Sequence, residues 1–250
     1  MEIVITIHHH VINLFIRRWR YYLSMTKKTT LFDEWPEKYD QWFTTPIGSL
    51  VRKYESELIL DLLKPVPGEM VLDAGCGTGV FTHDILFSGS LVTGLDISFP
   101  MLRRAREKSG RYPFSPIMGD ISTVPFRDGS FDKVVSITAI EFIKNAKGAV
   151  AELFRVTKKG GVIVVANLNS LSPWSARRIK NAKKGDSIFR KALFRSPDDL
   201  RSLSPVEGVV RTAIHFLKED KPEKAIEIEC EGRIKGWMTG AFAAVQWFKP

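Results

Sequence analysis

The segment Val71 to Gly79, with the sequence VLDAGCGTG, constrains the fold of this chain more than any other. A short apolar run ends in an acid, Asp73, and glycines follow at alternate positions from Gly75. Glycine adopts backbone angles that other residues resist, and it lets the main chain approach a ligand closely. We therefore predict a strand that turns through a glycine loop into a helix, with the loop placed to hold a nucleotide-like ligand.

The spacing of these glycines separates two classes of ligand. A dinucleotide-binding loop reads G-x-G-x-x-G, but counting from Gly75 places Val80 where the last glycine or alanine should be. A diphosphate also favours the N–H donors of a helix N-terminus, whereas Asp73 beside the loop suits a cationic ligand. A nucleotide-dependent oxidoreductase is therefore disfavoured, and the sulfonium nucleoside S-adenosylmethionine (SAM) fits better.

Apolar runs alternate with helical patterns from residue 70 onward, which is typical of βαβ units and a parallel sheet. The predicted strands are 69–74, 91–96, 115–118, 131–137, 161–166, 208–216 and 240–248. Helices are predicted over 80–87, 99–108 and 146–156, and two more should begin at Pro173 and Pro197, capped by Ser172 and Ser196. The early strands show little polar alternation, which indicates helices on both faces of the sheet.

Two further acids are predicted to end neighbouring strands. Asp96 closes the second strand, twenty-one residues beyond Gly75, where a carboxylate accepts hydrogen bonds from ribose hydroxyls. Asp120 follows the third strand, where it can accept from an adenine amino group while Ile121 packs on the ring. With Asp73, these acids would line one crevice at the topological switch point of the sheet.

These segments resemble the class I SAM-dependent methyltransferases, especially the branch of ubiquinone/menaquinone C-methyltransferases and their small-molecule relatives. The resemblance covers about residues 36–166 and rests on Val71–Gly79, Gly94–Ser98 with Met101-Leu102, Gly119-Asp120, Phe131-Asp132, and Glu152-x-x-Arg155-Val156 before Gly160-Gly161. It implies an α/β, Rossmann-like fold: a seven-stranded, mostly parallel sheet with helices on both faces and an antiparallel last strand. It also implies SAM as cofactor, S-adenosylhomocysteine (SAH) as product, and no metal.

The resemblance assigns roles residue by residue. The glycine loop would contact the methionine part of SAM, Asp96 the ribose, Met101 the adenine face and Asp120 the adenine edge, while Tyr39 resembles a lid tyrosine that closes over the cofactor. The full predicted cofactor-binding set is Tyr39, Asp73, Gly75, Cys76, Gly77, Gly79, Asp96, Ile97, Met101, Asp120, Ile121 and Thr138. Tyr39, with the neighbouring Trp42 and Phe43, is interpreted equally well as core.

The donor is already activated, so the protein mainly has to align an acceptor and exclude water. An acceptor that carries a proton also needs a general base near the end of the fourth strand, where Thr138 and Glu141 are the candidates. Many relatives have histidine near the position of Glu141. A Glu141 that faces solvent or caps a helix is therefore an equally good interpretation.

One domain is predicted over 31–250, after an atypical extension over 1–30. Its parts are an N-terminal lid 31–60, a SAM-binding core 61–166, a basic acceptor-lid insertion 167–205 and final strands 206–250. The net charge of +9 is concentrated in the extension and in 177–195. This predicts an anionic acceptor under the lid, with a solvated basic face as the alternative.

The extension itself has an apolar run, 3–16, that is too short to span a membrane, and its charges are in the wrong order for a secretory signal. We expect translation to begin naturally at Met25; a membrane-surface helix is the alternative. With only Cys76 and Cys230, a disulfide framework is disfavoured, which indicates a reducing cytoplasm.

The predicted function is therefore methyl transfer from SAM to an unidentified small-molecule acceptor. The residues 138–141 do not match the Asn- or Asp-Pro-Pro-aromatic tetrapeptide of enzymes that methylate amino groups in nucleic acids. An RNA (tRNA) methyltransferase guided by the basic lid remains an alternative, as does a SAM-binding interaction protein without catalysis.

Overall fold

A computed structural model describes residues 30–182 and 188–250 of the chain. The compact unit described below comprises Phe32–Pro250. The predictions for the extension, including the start at Met25 and the surface helix, lie outside the described residues. So do Lys183 and Lys184 of the basic segment.

The described residues form one seven-stranded sheet with the order β3-β2-β1-β4-β5-β7-β6. Its strands are β1 Met70–Ala74, β2 Leu91–Asp96, β3 Phe114–Met118, β4 Phe131–Ile137, β5 Thr157–Leu168, β6 Val209–Ala213 and β7 Phe242–Phe248. The first five strands pair in parallel, and β7 lies antiparallel between β5 and β6. The predicted fold class is confirmed, including the antiparallel last strand.

Eight α-helices accompany these strands in the described part of the chain. They are α1 Pro36–Trp42, α2 Pro46–Leu63, α3 Thr82–Phe87, α4 Phe99–Ser109, α5 Ala146–Val156, α6 Pro173–Ala182, α7 Pro197–Arg201 and α8 Pro222–Lys235. Ser172 and Ser196 accept hydrogen bonds from the backbone of the first turns of α6 and α7, as predicted. The sequence analysis missed α8, because its buried face carries small and polar residues rather than an apolar stripe: Ala225, Glu229 and Gly232.

Two apolar clusters cover the two faces of the sheet. Alternate strand residues point to opposite faces, so Val71 and Val135 join the cluster that contains α2, α3 and α4, while Leu72 joins the one that contains α5 and α7. Ile59 and Leu63 of α2 are at most 1% exposed. Much of the segment 31–60, predicted as a lid, is therefore a layer of the core, and only α1 and its flanks lie over the sheet edge described next.

Candidate active site

The carboxyl ends of three neighbouring strands bring the three predicted acids to one edge of the sheet. Asp73 of β1 pairs in register with Gly94 of β2, and Asp96 pairs with Met118 of β3, just before Asp120. Since these strands are parallel and adjacent, all three acids lie where the chain leaves the sheet. The three acids therefore lie at one edge of the sheet, and the crevice that they would line remains a prediction.

The glycine loop after β1 approaches the chain that follows β4. Gly75 has φ +82°, and a Cβ at this position would lie 2.5 Å from Cβ of Ala139. Gly79 has φ +75°, and its Cβ would lie 3.0 Å from Cβ of Ala105 on α4. Both positions therefore require glycine for conformation and for space, and the loop lies directly against the β4 end.

Asp96 is held in place by the backbone of this loop. Its Oδ2 accepts a 2.8 Å hydrogen bond from the Gly77 N–H, and its Oδ1 accepts a 2.8 Å bond from the Ser98 N–H. Burial raises the pKa of Asp96 to about 6, although these backbone bonds oppose the rise. Its carboxylate is fixed, and each oxygen keeps acceptor capacity for a ligand.

Asp73 lies beneath the loop. It is 2% exposed and accepts a 2.6 Å hydrogen bond from the Thr82 hydroxyl on α3. Burial, with Asp96 as a further negative charge, raises the pKa of Asp73 to about 7. Two buried acids this close make the region favourable for a cation.

The residues that were predicted to surround the adenine of SAM are a mixture of apolar and polar groups. Met101 and Ile121 are buried, whereas the side chain of Ile97 is 48% exposed. Asp120 is exposed and accepts a 2.8 Å bond from the Ser122 N–H. Cys76 is buried, and burial raises the pKa of its thiol well above the ordinary value, so the sulfur is a neutral, apolar neighbour of the loop.

The helix α1 is tied across the loop by Asp40, which the sequence analysis did not select. Its carboxylate accepts hydrogen bonds from Thr78 Oγ1 at 2.7 Å, from Arg104 Nε at 3.0 Å, and from Lys108. Partial burial raises the pKa of Asp40, but the bonds from Lys108, Thr78 and Arg104 outweigh it and hold the pKa below its ordinary value. This cluster connects α1 to the glycine loop and to α4.

Of the three aromatic residues in and just after α1 that were predicted to be either lid or core, two belong to the core and one faces the end of β4. Trp42 and Phe43 pack against the apolar core. Tyr39 instead meets the β4 end: burial raises the pKa of its hydroxyl, Glu55 and Glu141 add to the rise, and a hydrogen bond with the Thr138 side chain opposes it.

The β4 end carries local strain. Thr138 has φ 48°, which is unusual for a β-branched residue, and such a conformation raises the energy by about 1–3 kcal/mol. Its N–H donates to the Ala166 carbonyl at 2.9 Å. This turn leads into a short 3-10 helix, Ile140–Phe142, that carries Glu141 inward.

Glu141 neither faces solvent nor caps a helix, so that alternative interpretation is wrong. Its side chain is 0% exposed, and its two carboxyl oxygens have no hydrogen-bond partner within the described residues. Burial raises the pKa of Glu141 to about 7. The nearby backbone N–H groups of Glu141 and Leu168, and then the charges of Arg195 and Arg178, oppose this rise, although neither N–H group makes a hydrogen bond of normal geometry. The 3-10 turn begins only after the strained Thr138, and local sequence patterns did not predict it.

Several arginines of the segment 177–195 bind protein groups. Arg177 forms an ion pair with Glu219, and Arg195 Nη1 donates to the Ile140 carbonyl at 3.2 Å. The Arg178 guanidinium carbon lies 5.3 Å from the ring centre of Trp174. The exposed basic side chains that remain in the described part of this segment are Arg177 in its pair, Lys180, Arg190 and Lys191.

Glu55 of α2 is a further buried acid, and the sequence analysis did not select it. It is 6% exposed, and burial raises its pKa to about 8 while Arg178 opposes the rise. The available signal was its position: Glu55 lies among Val51, Leu58, Ile59 and Leu62 at helical spacing on the apolar face of α2.

Comparison with known proteins agrees with this geometry. A family model described as "Methyltransferase domain" matches residues 72–165. The malonyl-acyl-carrier protein O-methyltransferase of Salmonella typhimurium is 33% identical over 193 residues, which cover 68% of this chain and 75% of that protein. The chain belongs to the class I SAM-dependent methyltransferases.

Other members of this family align over shorter regions. The Serratia marcescens malonyl-acyl-carrier protein O-methyltransferase is 38% identical over 112 residues, 45% of this chain and 43% of that protein. The demethylmenaquinone methyltransferase of Renibacterium salmoninarum is 36% identical over 141 residues, 56% and 57% of the two chains. The chain therefore spans about half the length of these two relatives.

A solved structure shares the methyltransferase fold over nearly the whole chain. It is the SAM-dependent methyltransferase, possible histamine N-methyltransferase, of Thermotoga maritima, with a TM-score of 0.65 and 24% identity over 88% of this chain and 98% of that one. Within residues 30–182 and 188–250, no helix is long and apolar enough to cross a membrane. The same residues contain no cluster of three or more His, Cys, Asp or Glu that could hold a metal ion.

Proposed function

We propose that this protein transfers the methyl group of SAM to a small-molecule acceptor. The observation that carries the proposal is the arrangement of Asp73, Asp96 and Asp120 at adjacent strand ends around a loop that has no room for a Cβ at Gly75. A loop of this kind lets backbone reach a ligand, and the buried acids favour a cationic one. The family membership supports the same cofactor.

The cofactor contacts are proposed by residue. Asp96, already oriented by two backbone N–H groups, would accept the ribose hydroxyls; Met101 and Ile97 would flank the adenine, with Asp120 and Ile121 at its edge. The loop residues Gly75, Cys76, Gly77 and Gly79 would lie along the methionine part, with Asp73 beneath them. Tyr39 and Thr138 would close the site from the α1 side and the β4 side.

Methyl transfer then depends on alignment of the acceptor with the methyl group and on removal of the acceptor's proton. When bound, SAM supplies an electrophilic methyl group. The chain would exclude water by the contacts of α1 with the loop, and Asp40 holds that helix in place. Glu141, buried and near neutral pKa, is the proposed general base, and Thr138 would position the neighbouring groups.

A small molecule fits the acceptor side better than a nucleic acid. In the described part of the basic segment, Arg177, Arg178 and Arg195 contact protein groups, so Lys180, Arg190 and Lys191 are the described cations left to follow a phosphate backbone. The relatives named above act, by their names, on malonyl-acyl-carrier protein and demethylmenaquinone. These substrates belong to those proteins, and the acceptor of this one is addressed below.

Titration calorimetry with SAM, SAH and NAD tests the cofactor directly. We expect SAM and SAH to bind, NAD not to bind, and Asp96→Asn to weaken SAM binding about 10-fold or more, since a lost charge-assisted pair of ribose bonds is worth at least about 1.4 kcal/mol. The exposed Glu223→Gln serves as control. Failure of SAM and SAH to bind the wild-type protein would refute the proposal.

Transfer of a labelled methyl group from SAM then tests catalysis against a panel of small molecules and bulk tRNA. Labelling of a small molecule supports the proposal. Labelling of tRNA alone, with binding that weakens steeply as salt increases, would replace it with the RNA alternative. Binding of SAM without any transfer would favour the inactive interaction protein.

A further inference from the structure

Two side chains, the buried Glu141 and the partly buried Arg178, have buried polar atoms that the described residues leave unpaired. Both carboxyl oxygens of Glu141 and Nη1 of Arg178 are buried without a hydrogen-bond partner within the described residues. Burying a polar group without a partner is unfavourable by several kcal/mol in the general case, and such groups are rare in folded proteins, where a catalytic role is one of their explanations. Glu141 is 0% exposed, and the backbone N–H groups of Glu141 and Leu168 near its carboxyl group do not reach hydrogen-bonding geometry, so both oxygens keep capacity for a further donor.

Glu55 and Arg178 belong to the same cluster. Arg178 interacts electrostatically with Glu55 and with Glu141, and the two acids also repel each other. The guanidinium carbon of Arg178 lies 5.3 Å from the ring centre of Trp174 and 5.4 Å from that of Phe189. These rings hold the guanidinium from the lid side, while Glu55 approaches from the core helix α2.

The lid helix that carries Arg178 is fixed to the sheet and not free. Trp174 is 6% exposed, and its indole N–H donates to the Phe216 carbonyl at 2.7 Å. The chain after α6 returns to the β4 end, where the Leu193 N–H donates to the Glu141 carbonyl at 2.7 Å. Arg178 and Glu141 are thus held from two elements that are each anchored.

The cluster adjoins the proposed cofactor loop. Glu141 follows Ala139 by two residues, and Ala139 is the residue that a Cβ on Gly75 would strike. Tyr39 bonds to Thr138 and interacts with both Glu55 and Glu141. The backbone turn that carries Glu141 therefore lies next to the loop, on the β4 side, where an acceptor would meet the methyl group.

We propose that Glu55, Glu141 and Arg178 form the acceptor end of the site, and that the acceptor is an amine or hydroxyl compound whose N–H or O–H pairs with Glu141. This inference rests on the proposed function and adds the substrate class. A carboxylate acceptor has no proton to give, and the ionised form of Glu141 that acts as base would repel it as a like charge.

The reaction balances with these groups. The lone pair of the acceptor nitrogen or oxygen forms a bond to the methyl carbon, the carbon–sulfur bond breaks, and its electron pair stays on sulfur to give SAH. The proton of the acceptor N–H or O–H passes to a carboxylate oxygen of Glu141 and is then released to water. Glu141 is the catalytic residue of this step, because it contacts the acceptor.

Arg178 acts through Glu141 as a positioning residue. The titratable groups that interact electrostatically with Glu141 are Tyr39, Glu55, Arg178 and Arg195. Burial raises the pKa of Glu141 to about 7, and Arg178 keeps it from rising further. Loss of the Arg178 charge should therefore move the activity-against-pH curve to higher pH.

The test measures binding and methyl transfer on the full-length protein, first with SAH and SAM alone. Arylalkylamines, phenols and short-chain carboxylic acids are then added as probes, to the SAH complex for binding and with labelled SAM for transfer. The variants are Glu141→Gln, Arg178→Gln and Arg178→Lys. Arg190→Gln, an exposed position in the same basic segment, is the matched control.

We expect amine or hydroxyl probes to bind and to be methylated at nitrogen or oxygen, and Glu141→Gln to lower kcat about 100-fold or more with SAH binding unchanged. Arg178→Gln should shift the pH profile upward, and Arg178→Lys should restore it; circular dichroism shows whether each variant is folded.

Methylation of carboxylic acids only, or wild-type activity in Glu141→Gln, overturns the inference. So does a protein that binds SAH yet neither binds nor methylates any amine or hydroxyl probe. Loss of SAM and SAH binding in the wild type would instead refute the proposed function itself, so the two failures are distinguishable.

Discussion

Asp40 of α1 accepts a 2.7 Å hydrogen bond from the hydroxyl of Thr78, a residue inside the glycine loop. The same carboxylate pairs with Arg104 and Lys108 on α4. One side chain thus joins α1 to the loop and to α4, the helix after β2. Closure of the proposed cofactor site depends on this connection.

Replacement of Asp40 by Asn should weaken SAM binding by about 10-fold, which corresponds to about 1.4 kcal/mol. The variant loses the ion pairs with Arg104 and Lys108, so α1 would spend less time over the loop. Surface plasmon resonance would show the change mainly as faster dissociation. Glu37→Gln on the same helix is the exposed control, and equal dissociation rates for all three proteins would contradict this account.

Gly75→Ala should destabilise the protein and prevent SAM binding. The alanine Cβ would lie 2.5 Å from Cβ of Ala139 in a backbone with φ +82°, and the combined conformational and steric effect is about 3 kcal/mol in free energy of unfolding. Gly160→Ala is the matched control, since φ is +72° there but nothing lies within 4 Å of the added carbon.

Urea denaturation measures both variants. The control should lose about 1 kcal/mol, from conformation alone. Equal losses for Gly75→Ala and Gly160→Ala would show that the contact with Ala139 has no energetic weight.

Glu141→Gln should make the folded protein more stable, and increasingly so as the pH rises. The pKa of Glu141 is raised from 4.5 to about 7 in the folded state. Relative to Glu141→Gln, the wild type is therefore most stable below about pH 4.5. Its free energy of unfolding falls by up to about 3 kcal/mol as the pH rises through 7. Glu141→Gln has no carboxyl group to ionise at this position, so its stability does not fall in this way.

The measurement is the free energy of unfolding of both proteins at pH 4.5, 6.5 and 8.5. Glu223→Gln, an exposed position on α8, should show no such trend. A difference between wild type and Glu141→Gln that stays constant with pH would mean that Glu141 titrates normally. A stability gain with a loss of activity would support a functional reason for keeping the acid.

SAM affinity should fall as the pH is lowered from 8 to 5. Burial raises the pKa of Asp96 to about 6 and that of Asp73 to about 7, so both acids take up protons in this range, and a cationic ligand favours their ionised forms. Each proton taken up lowers affinity by up to about 10-fold per pH unit below its pKa. The ligand's own amino group stays charged over most of this range.

Calorimetry at several pH values would measure this dependence. In Asp96→Asn the dependence should be shallower, because one titrating acid is absent. An affinity that does not change between pH 8 and pH 5 would contradict the proposed proximity of the two acids to the positive charge.

The sequence by itself determined the sheet and the cofactor loop. Strands such as β2 and β4 were predicted with correct bounds because continuous apolar runs between turns have one stable arrangement, buried between helices. Gly75, Asp96 and Asp120 lie at the strand ends where the sequence placed them, because each is within two residues of the end of a strand and its position depends on local chain direction. Their contacts with SAM remain a proposal.

Only the tertiary structure decided the acceptor end. Glu55, Glu141 and Arg178 lie on α2, on the turn after β4 and on α6, and nothing in their spacing indicates that they meet. Asp40 likewise finds Thr78 and Lys108 only after α1 crosses the loop. Local patterns report which face of an element is apolar, whereas a cluster of buried charges depends on how distant elements pack, and that packing determines the pKa of Glu141.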